Sequence, residues 1–383
     1  MNKIKHTALA LIVLSLIHVL PVRAQTNDIP HFKVDPYWPK QLPNDWIMGQ
    51  VGGLAIDKDD HIWVLQRPRS STKDELGASQ VPPRSDCCVT TPSVLEFDAN
   101  GNLLKAWGGP GLVPDWPTNE HAIWVDKERN VWISGAGVDD RQVLKFTADG
   151  HQLLEIGRKS KEPKNNQDTS LLGRVAGIDV DDAAREVYIA DGYLNNRIMV
   201  YDSETGQFKR GWGGYGMPLS QVANSVEQIE GEVSASGTIP AYKAGDPPDR
   251  QFRSPVHCAR LAHDGFVYVC DRHNDRIQVF TKQGAFVREF SIKPTTLGNG
   301  STWTIEFSHD AEQKYLLIVD GEDNTIWIVR RGDGAVVSSF GHSGRNAGQF
   351  HWVHQAAMDS AGNLYTGEVD TGKRVQKFLL QGR

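Results

Sequence analysis

Residues 121–134 read HAIWVDKERNVWIS. Two short runs of alternating apolar and polar residues flank a charged break, the pattern of two strands joined by a tight turn. The same fourteen-residue frame returns at 257–270 as HCARLAHDGFVYVC and at 354–367 as HQAAMDSAGNLYTG. It also returns at 52–65 as GGLAIDKDDHIWVL, with glycine in place of the leading histidine. Looser versions, each with an extra turn residue, are AGIDVDDAAREVYIAD from 176 and TIEFSHDAEQKYLLIVD from 304. A frame that recurs at this spacing makes the chain a repeat protein.

Each frame is followed by a second hairpin-like pair. Examples are VLEFDANGNLLKAWG at 94–108, VLKFTADGHQLLEIG at 143–157 and IQVFTKQGAFVREF at 277–290. Six copies of a four-stranded unit result. One such unit cannot bury both of its faces alone, and stacking the units around an axis solves that problem. The expected fold is all-β, a six-bladed β-propeller. The sixth copy stops after 375–380 without a fourth strand, and residues 31–35 (HFKVD) form an unassigned extended stretch. That N-terminal segment is expected to supply the missing strand and close the ring. Two insertions, at about 68–92 and 215–251, are expected to form loops that shape one rim.

Composition narrows the function. The chain has 383 residues, 39% hydrophobic and 23% charged, which is globular rather than disordered. The net charge of -6 excludes strong phosphate neutralisation and argues against a nucleic-acid partner. Four cysteines are too few for a scaffold built on disulfides. The N-terminus carries Lys3, Lys5 and His6, an apolar run over 8–20 and a Val22-Arg23-Ala24 cleavage-like site. Residues 1–24 are read as a secretory signal and 25–383 as the propeller domain, with a secreted or periplasmic destination. No later segment is long and apolar enough to span a bilayer.

The repeat alignment places three histidines in one column. His121, His257 and His354 each lie eleven residues before an aromatic residue of the paired strand, Trp132, Tyr268 and Tyr365. They fall in the second, fourth and sixth copies. Gly52, Ala176 and Trp303 fill the column in the first, third and fifth. The first strand of each blade lines the channel, so alternate blades should hold three imidazoles about 120° apart around the axis. Three converging imidazoles suit a divalent transition metal with an open position, zinc first. Arg67, Asp191, Tyr193, Asp271, Arg272, Asp320, Glu322 and Glu368 stand at second-strand ends near the same rim. An arginine there could clamp a carboxylate and a tyrosine could act as a base, while the aspartates could equally serve turn chemistry. Cys258 and Cys270 face each other across one hairpin, either as a disulfide or as packed thiols. Cys87 and Cys88 are adjacent, and their pairing is left open.

These residues resemble the NHL-repeat propellers of the peptidyl-α-hydroxyglycine α-amidating lyase family over nearly the whole mature chain. The most specific parts are the three column histidines and the segment DGYLNNRI at 191–198. The resemblance implies a catalytic zinc on His121, His257 and His354, a catalytic Tyr193 and a substrate-binding Arg67. It implies cleavage of the N–Cα bond of a C-terminal α-hydroxyglycine to a peptide amide and glyoxylate. The family tends to carry an aspartate after its third zinc histidine that helps bind a structural calcium. This chain has Gln355 there, which puts the calcium in doubt. Trp303 and Trp352 would crowd the channel with indoles and suggest a different substrate. The expected partner is a small-molecule or peptide substrate, with no nucleic acid, no membrane span after signal removal and a monomeric chain. The alternatives are a lactonase-like propeller hydrolase and a non-enzymatic NHL-type binding module.

Overall fold

The computed structural model describes residues 29–224, 249–296 and 298–381. The signal segment 1–24 and most of the second insertion lie outside the described residues. Six antiparallel four-stranded sheets follow in chain order. Their innermost strands are Gln50–Ile56, Glu120–Val125, Gly177–Asp181, Val256–Leu261, Thr304–Phe307 and Val353–Met358. In the sixth sheet His31–Asp35 pairs with Val375–Gln381, His31 opposite Gln381 and Asp35 opposite Lys377. The N-terminal segment closes the ring as expected, and the chain is a six-bladed β-propeller.

Local chemistry explains why the frames fold alike. After the inner strand an aspartate ties the turn and the next strand together. Asp57 accepts the His61 N–H at 3.0 Å and the Trp63 indole N–H at 3.1 Å. Asp126 does the same for Asn130 and Trp132, at 2.8 and 3.2 Å. Asp359 takes the Asn363 N–H at 2.8 Å and the Tyr365 hydroxyl at 3.1 Å. Each carboxylate thereby satisfies a tight turn and the polar end of a buried ring.

The core lies between blades. Each of the six blade interfaces carries its own apolar layer. Trp63 and Ile133 meet between blades one and two, and Trp132 and Met199 between two and three. Tyr365 and Val64 join blades six and one. Consecutive apolar positions such as Ile62, Trp63, Val64 and Leu65, all buried, put apolar residues on both faces of a sheet, and only neighbouring blades can cover them. In the first insertion Val89–Thr90 pairs in parallel with Trp46–Ile47. Among the described residues no helix is long and apolar enough to cross a membrane.

Candidate metal centre

The column residue of each blade occupies a β-bulge. Pairing skips from Glu120 to Ala122, from Val256 to Cys258 and from Val353 to Gln355, leaving His121, His257 and His354 as the extra residues. Gly52 is skipped in the same way in blade one. Ala176 and Trp303 donate their N–H groups to Ala190 and Val319, whose partners in the ladder are Gly177 and Thr304. A bulge re-aims a side chain out of the ladder, and here it turns the histidines to the axis. Their ring centroids stand 4.7, 5.0 and 5.2 Å apart. One ring nitrogen from each lies within 4.8 Å of the others.

The backbone fixes which nitrogen faces inward. His121 Nδ1 lies 3.0 Å from the Ala176 carbonyl, and His257 Nδ1 bonds the Trp303 carbonyl. In both cases the acceptor is the column residue of the following blade. A carbonyl can only accept, so Nδ1 carries the proton and Nε2 keeps its lone pair. His354 follows the pattern more loosely. The Gly52 carbonyl is beside it, but its Nδ1 lacks a hydrogen bond of good geometry. Burial holds all three imidazoles well below their ordinary range, reinforced at His121 and His257 by neighbouring histidines and by Arg67 or Arg272, and at His354 by both arginines. The neutral form is the one that ligates a metal.

Tyr193 completes the floor. Its hydroxyl lies 2.7 Å from His121 Nε2 and 3.0 Å from His257 Nε2. One hydroxyl proton cannot satisfy two lone pairs, and a third belongs to His354. A donor set with surplus inward lone pairs is suited to a cation, with its Nδ1 partners supplying the outer support. His121, His257 and His354 are thus able to hold a metal ion.

A cavity of about 180 Å³ opens above this floor. Arg67, Arg174, Trp303, Trp352 and Asp370 are among its lining residues. Arg67 donates through Nε to the Glu120 carbonyl at 2.7 Å and through Nη1 to Gln50 Oε1 at 2.7 Å. Arg174 donates to the Ala136 carbonyl at 2.7 Å and lies over the Tyr193 ring. Arg272 stacks on Trp303 at 4.3 Å.

The structure brings His121, His257, His354, Tyr193 and Arg67 together. It does not bring the carboxylates there. Asp191 binds Arg197 and Asn195, Asp271 binds Arg276 and Asn274, and Asp320 binds the Trp327 indole and the Asp323 N–H. Glu368 binds Arg374, and Glu322 binds Asn299. These residues brace loops. Asn119 and Arg174, missed in the sequence, each sit two residues before a column position, as Trp352 does. All three line the same cavity as His121 and His354. Gln355 lines a small cavity below them. The cysteines resolve into two disulfides, Cys87–Cys88 and Cys258–Cys270.

No protein-family model matches the chain. It is 24% identical over 363 residues to peptidyl-glycine alpha-amidating monooxygenase B of Xenopus laevis, covering 90% of this chain and 35% of that protein. It is 24% identical to peptidyl-alpha-hydroxyglycine alpha-amidating lyase 1 of Drosophila melanogaster, over 89% of this chain and 58% of that one. It is 27% identical to NHL repeat-containing protein 3 of Mus musculus, over 91% and 84%. The chain therefore spans about a third of the amphibian relative's length. A streptogramin B lyase structure superposes with a TM-score of 0.50 at 13% identity, covering 91% of this chain and 98% of that one, a likeness of fold alone. Sequence and architecture together make the chain a six-bladed β-propeller that resembles the NHL-repeat proteins and the peptidyl-α-hydroxyglycine α-amidating lyases.

Proposed function

We propose that the chain is an exported, metal-dependent carbon–nitrogen lyase acting on an α-hydroxyglycine-type hemiaminal in the propeller channel. The observation that carries this reading is the Tyr193 hydroxyl within hydrogen-bonding distance of two of three convergent imidazoles. The names of the Xenopus and Drosophila relatives support the substrate class. His121, His257 and His354 would hold the ion, and zinc is proposed because neutral imidazole suits it. When bound, the ion would supply Lewis acidity toward a substrate oxygen. No structural calcium is proposed, since Gln355 offers an amide oxygen without charge.

Arg67, anchored on the Glu120 carbonyl and Gln50, is placed to bind the substrate carboxylate. Tyr193, as the phenolate, takes the proton of the substrate hydroxyl at its oxygen. The freed electron pair forms the C=O of glyoxylate while the C–N bond breaks. The departing nitrogen keeps the bonding pair and takes up a proton, giving the amide. Two disulfides suit an oxidising compartment and support export by the 1–24 signal.

A second reading is a non-catalytic NHL-type module, favoured by the 84% coverage of NHL repeat-containing protein 3, whose name states no activity. Metal content separates the two. We expect about one ion per purified mature chain, lost in His257→Ala, and glyoxylate release from a hydroxyglycine-terminated peptide. Equal sub-stoichiometric metal in wild type and variant would sink the metal centre. Full metal without glyoxylate would sink the substrate assignment.

A further inference from the structure

The cavity has two unlike walls, and the mechanism uses only one of them. Arg67 and Arg174 make the charged wall above the Tyr193 floor, with Asp370 also among the lining residues. Trp303 and Trp352 enter from blades five and six, across the ring from the blade-two carbonyls of Glu120 and Ala136 that hold Arg67 and Arg174, and their ring centroids stand 6.0 Å apart with planes tilted by 40°. Trp303 is held from several directions. Its indole N–H donates to the Gly300 carbonyl at 2.8 Å, and Arg272 covers it. Gly321 packs so close that an added Cβ would lie 2.8 Å from its ring carbons. The ring also stands 5.7 Å from His354 and 5.9 Å from His257, directly beside the proposed centre.

Trp352 is presented at a conformational cost. Its φ is +56°, a left-handed conformation that is an outlier for a bulky residue. The Asn324 side chain fixes it by accepting its N–H at 2.6 Å, and its own carbonyl accepts the Val369 N–H at 3.0 Å. Strain retained beside a cavity and held by dedicated partners points to a role for the side chain so displayed. The space between the walls, about 180 Å³, is below the roughly 300 Å³ at which drug-sized ligands begin. A small molecule with an anionic end and a flat apolar end matches both walls, because indoles favour offset or edge contacts with aromatic rings.

Resting on the lyase reading, we propose that Trp303 and Trp352 form a subsite for a flat aromatic acyl group, making the preferred substrate a small N-aroyl-α-hydroxyglycine. The carboxylate goes to the arginine wall and the aroyl ring to the indole wall, with the hemiaminal carbon between them over the histidines.

The test uses N-benzoylglycine and N-acetylglycine, which lack the hydroxyl and cannot be cleaved. Dissociation constants are measured by titration calorimetry on the metal-loaded protein and on Trp352→Ala, a half-buried position that packs against the edge of the layer between blades five and six. We expect the benzoyl compound to bind at least about tenfold more tightly to wild type, and the ratio to fall below about threefold in the variant. Thermal melts and metal content check that the variant is folded. Equal affinities in wild type, no binding of either compound, or a ratio that survives Trp352→Ala overturns the subsite. Turnover of N-benzoyl-α-hydroxyglycine to benzamide and glyoxylate is scored separately. Selective binding without turnover sinks the lyase reading and keeps the aromatic subsite.

Discussion

The Tyr193 hydroxyl stands 2.7 Å from Nε2 of His121, on the axis of the ring, although the two residues come from different blades. The contact exists because the loop after blade three's second strand turns inward. There the Tyr193 N–H donates to the Arg174 carbonyl at 3.1 Å, and the Ser254 hydroxyl donates to the Tyr193 carbonyl at 2.9 Å. Replacing Tyr193 with phenylalanine keeps the ring and removes the proton acceptor. Glyoxylate release should fall by about 10²- to 10⁴-fold, with metal content unchanged. A rate within tenfold of wild type would remove Tyr193 from the chemistry.

Gly52 is the column residue of blade one. A Cβ there would lie 2.3 Å from the Glu120 carbonyl oxygen, a backbone atom that cannot swing aside. Gly52→Ala should therefore force blades one and two apart and cost about 1–3 kcal/mol. The Gly52 carbonyl also faces His354, so metal affinity should fall together with stability. Urea midpoints and competition with a chromogenic chelator report the two effects.

Two buried glutamates should respond to pH with opposite signs. The Arg210 guanidinium, helped by Lys209 and Tyr188, draws the Glu186 carboxyl down to about 2 from 4.5. Its contribution is complete above about pH 4.5 and is lost as pH falls toward 2. Glu186→Gln should cost about 1–2 kcal/mol at neutral pH, a difference that closes on acidification. Burial instead pushes Glu306 up to about 7 against the pull of Arg260. Its penalty is absent below about pH 4.5 and grows as pH rises through 7. Wild type should lose stability relative to Glu306→Gln between pH 5 and pH 8. Urea midpoints across the range check both variants.

The disulfide Cys258–Cys270 joins directly opposed residues of one hairpin, twelve positions apart, and its first half-cystine follows His257. Replacing both cysteines with alanine should cost about 2–3 kcal/mol. His257 keeps its anchor on the Trp303 carbonyl, so stoichiometric metal should remain. Thermal melts with metal analysis separate the two outcomes, and loss of metal would make the bridge part of the centre's support.

The sequence exposed features that repeat and hid those that do not. The histidine column was legible because a bulge at one position in blades two, four and six preserves the spacing to the paired aromatic residue. The closing strand was legible because the last copy was short by one. Arg174 and Asn119 were missed, although they occupy the position two before the column, because the chain there is irregular loop with no alternation to follow. The carboxylates at strand ends carried the same residue types as a catalytic site, and only packing revealed that Arg197, Arg276 and Arg374 already engage Asp191, Asp271 and Glu368. The parallel pairing of Trp46–Ile47 with Val89–Thr90 has no signature at two residues per strand.

Because His31–Asp35 seals the sheet that Val375–Gln381 belongs to, the earliest segment of the wheel to leave a ribosome must wait for the last. Blades one to five can assemble in order of synthesis, yet the circle cannot lock until the final hydrogen-bonding partner emerges. An interrupted product would carry bare strand edges of the kind that recruit chaperones or proteases. The seam thus makes closure of the wheel depend on the pairing most distant along the described residues, whatever order the other blades follow.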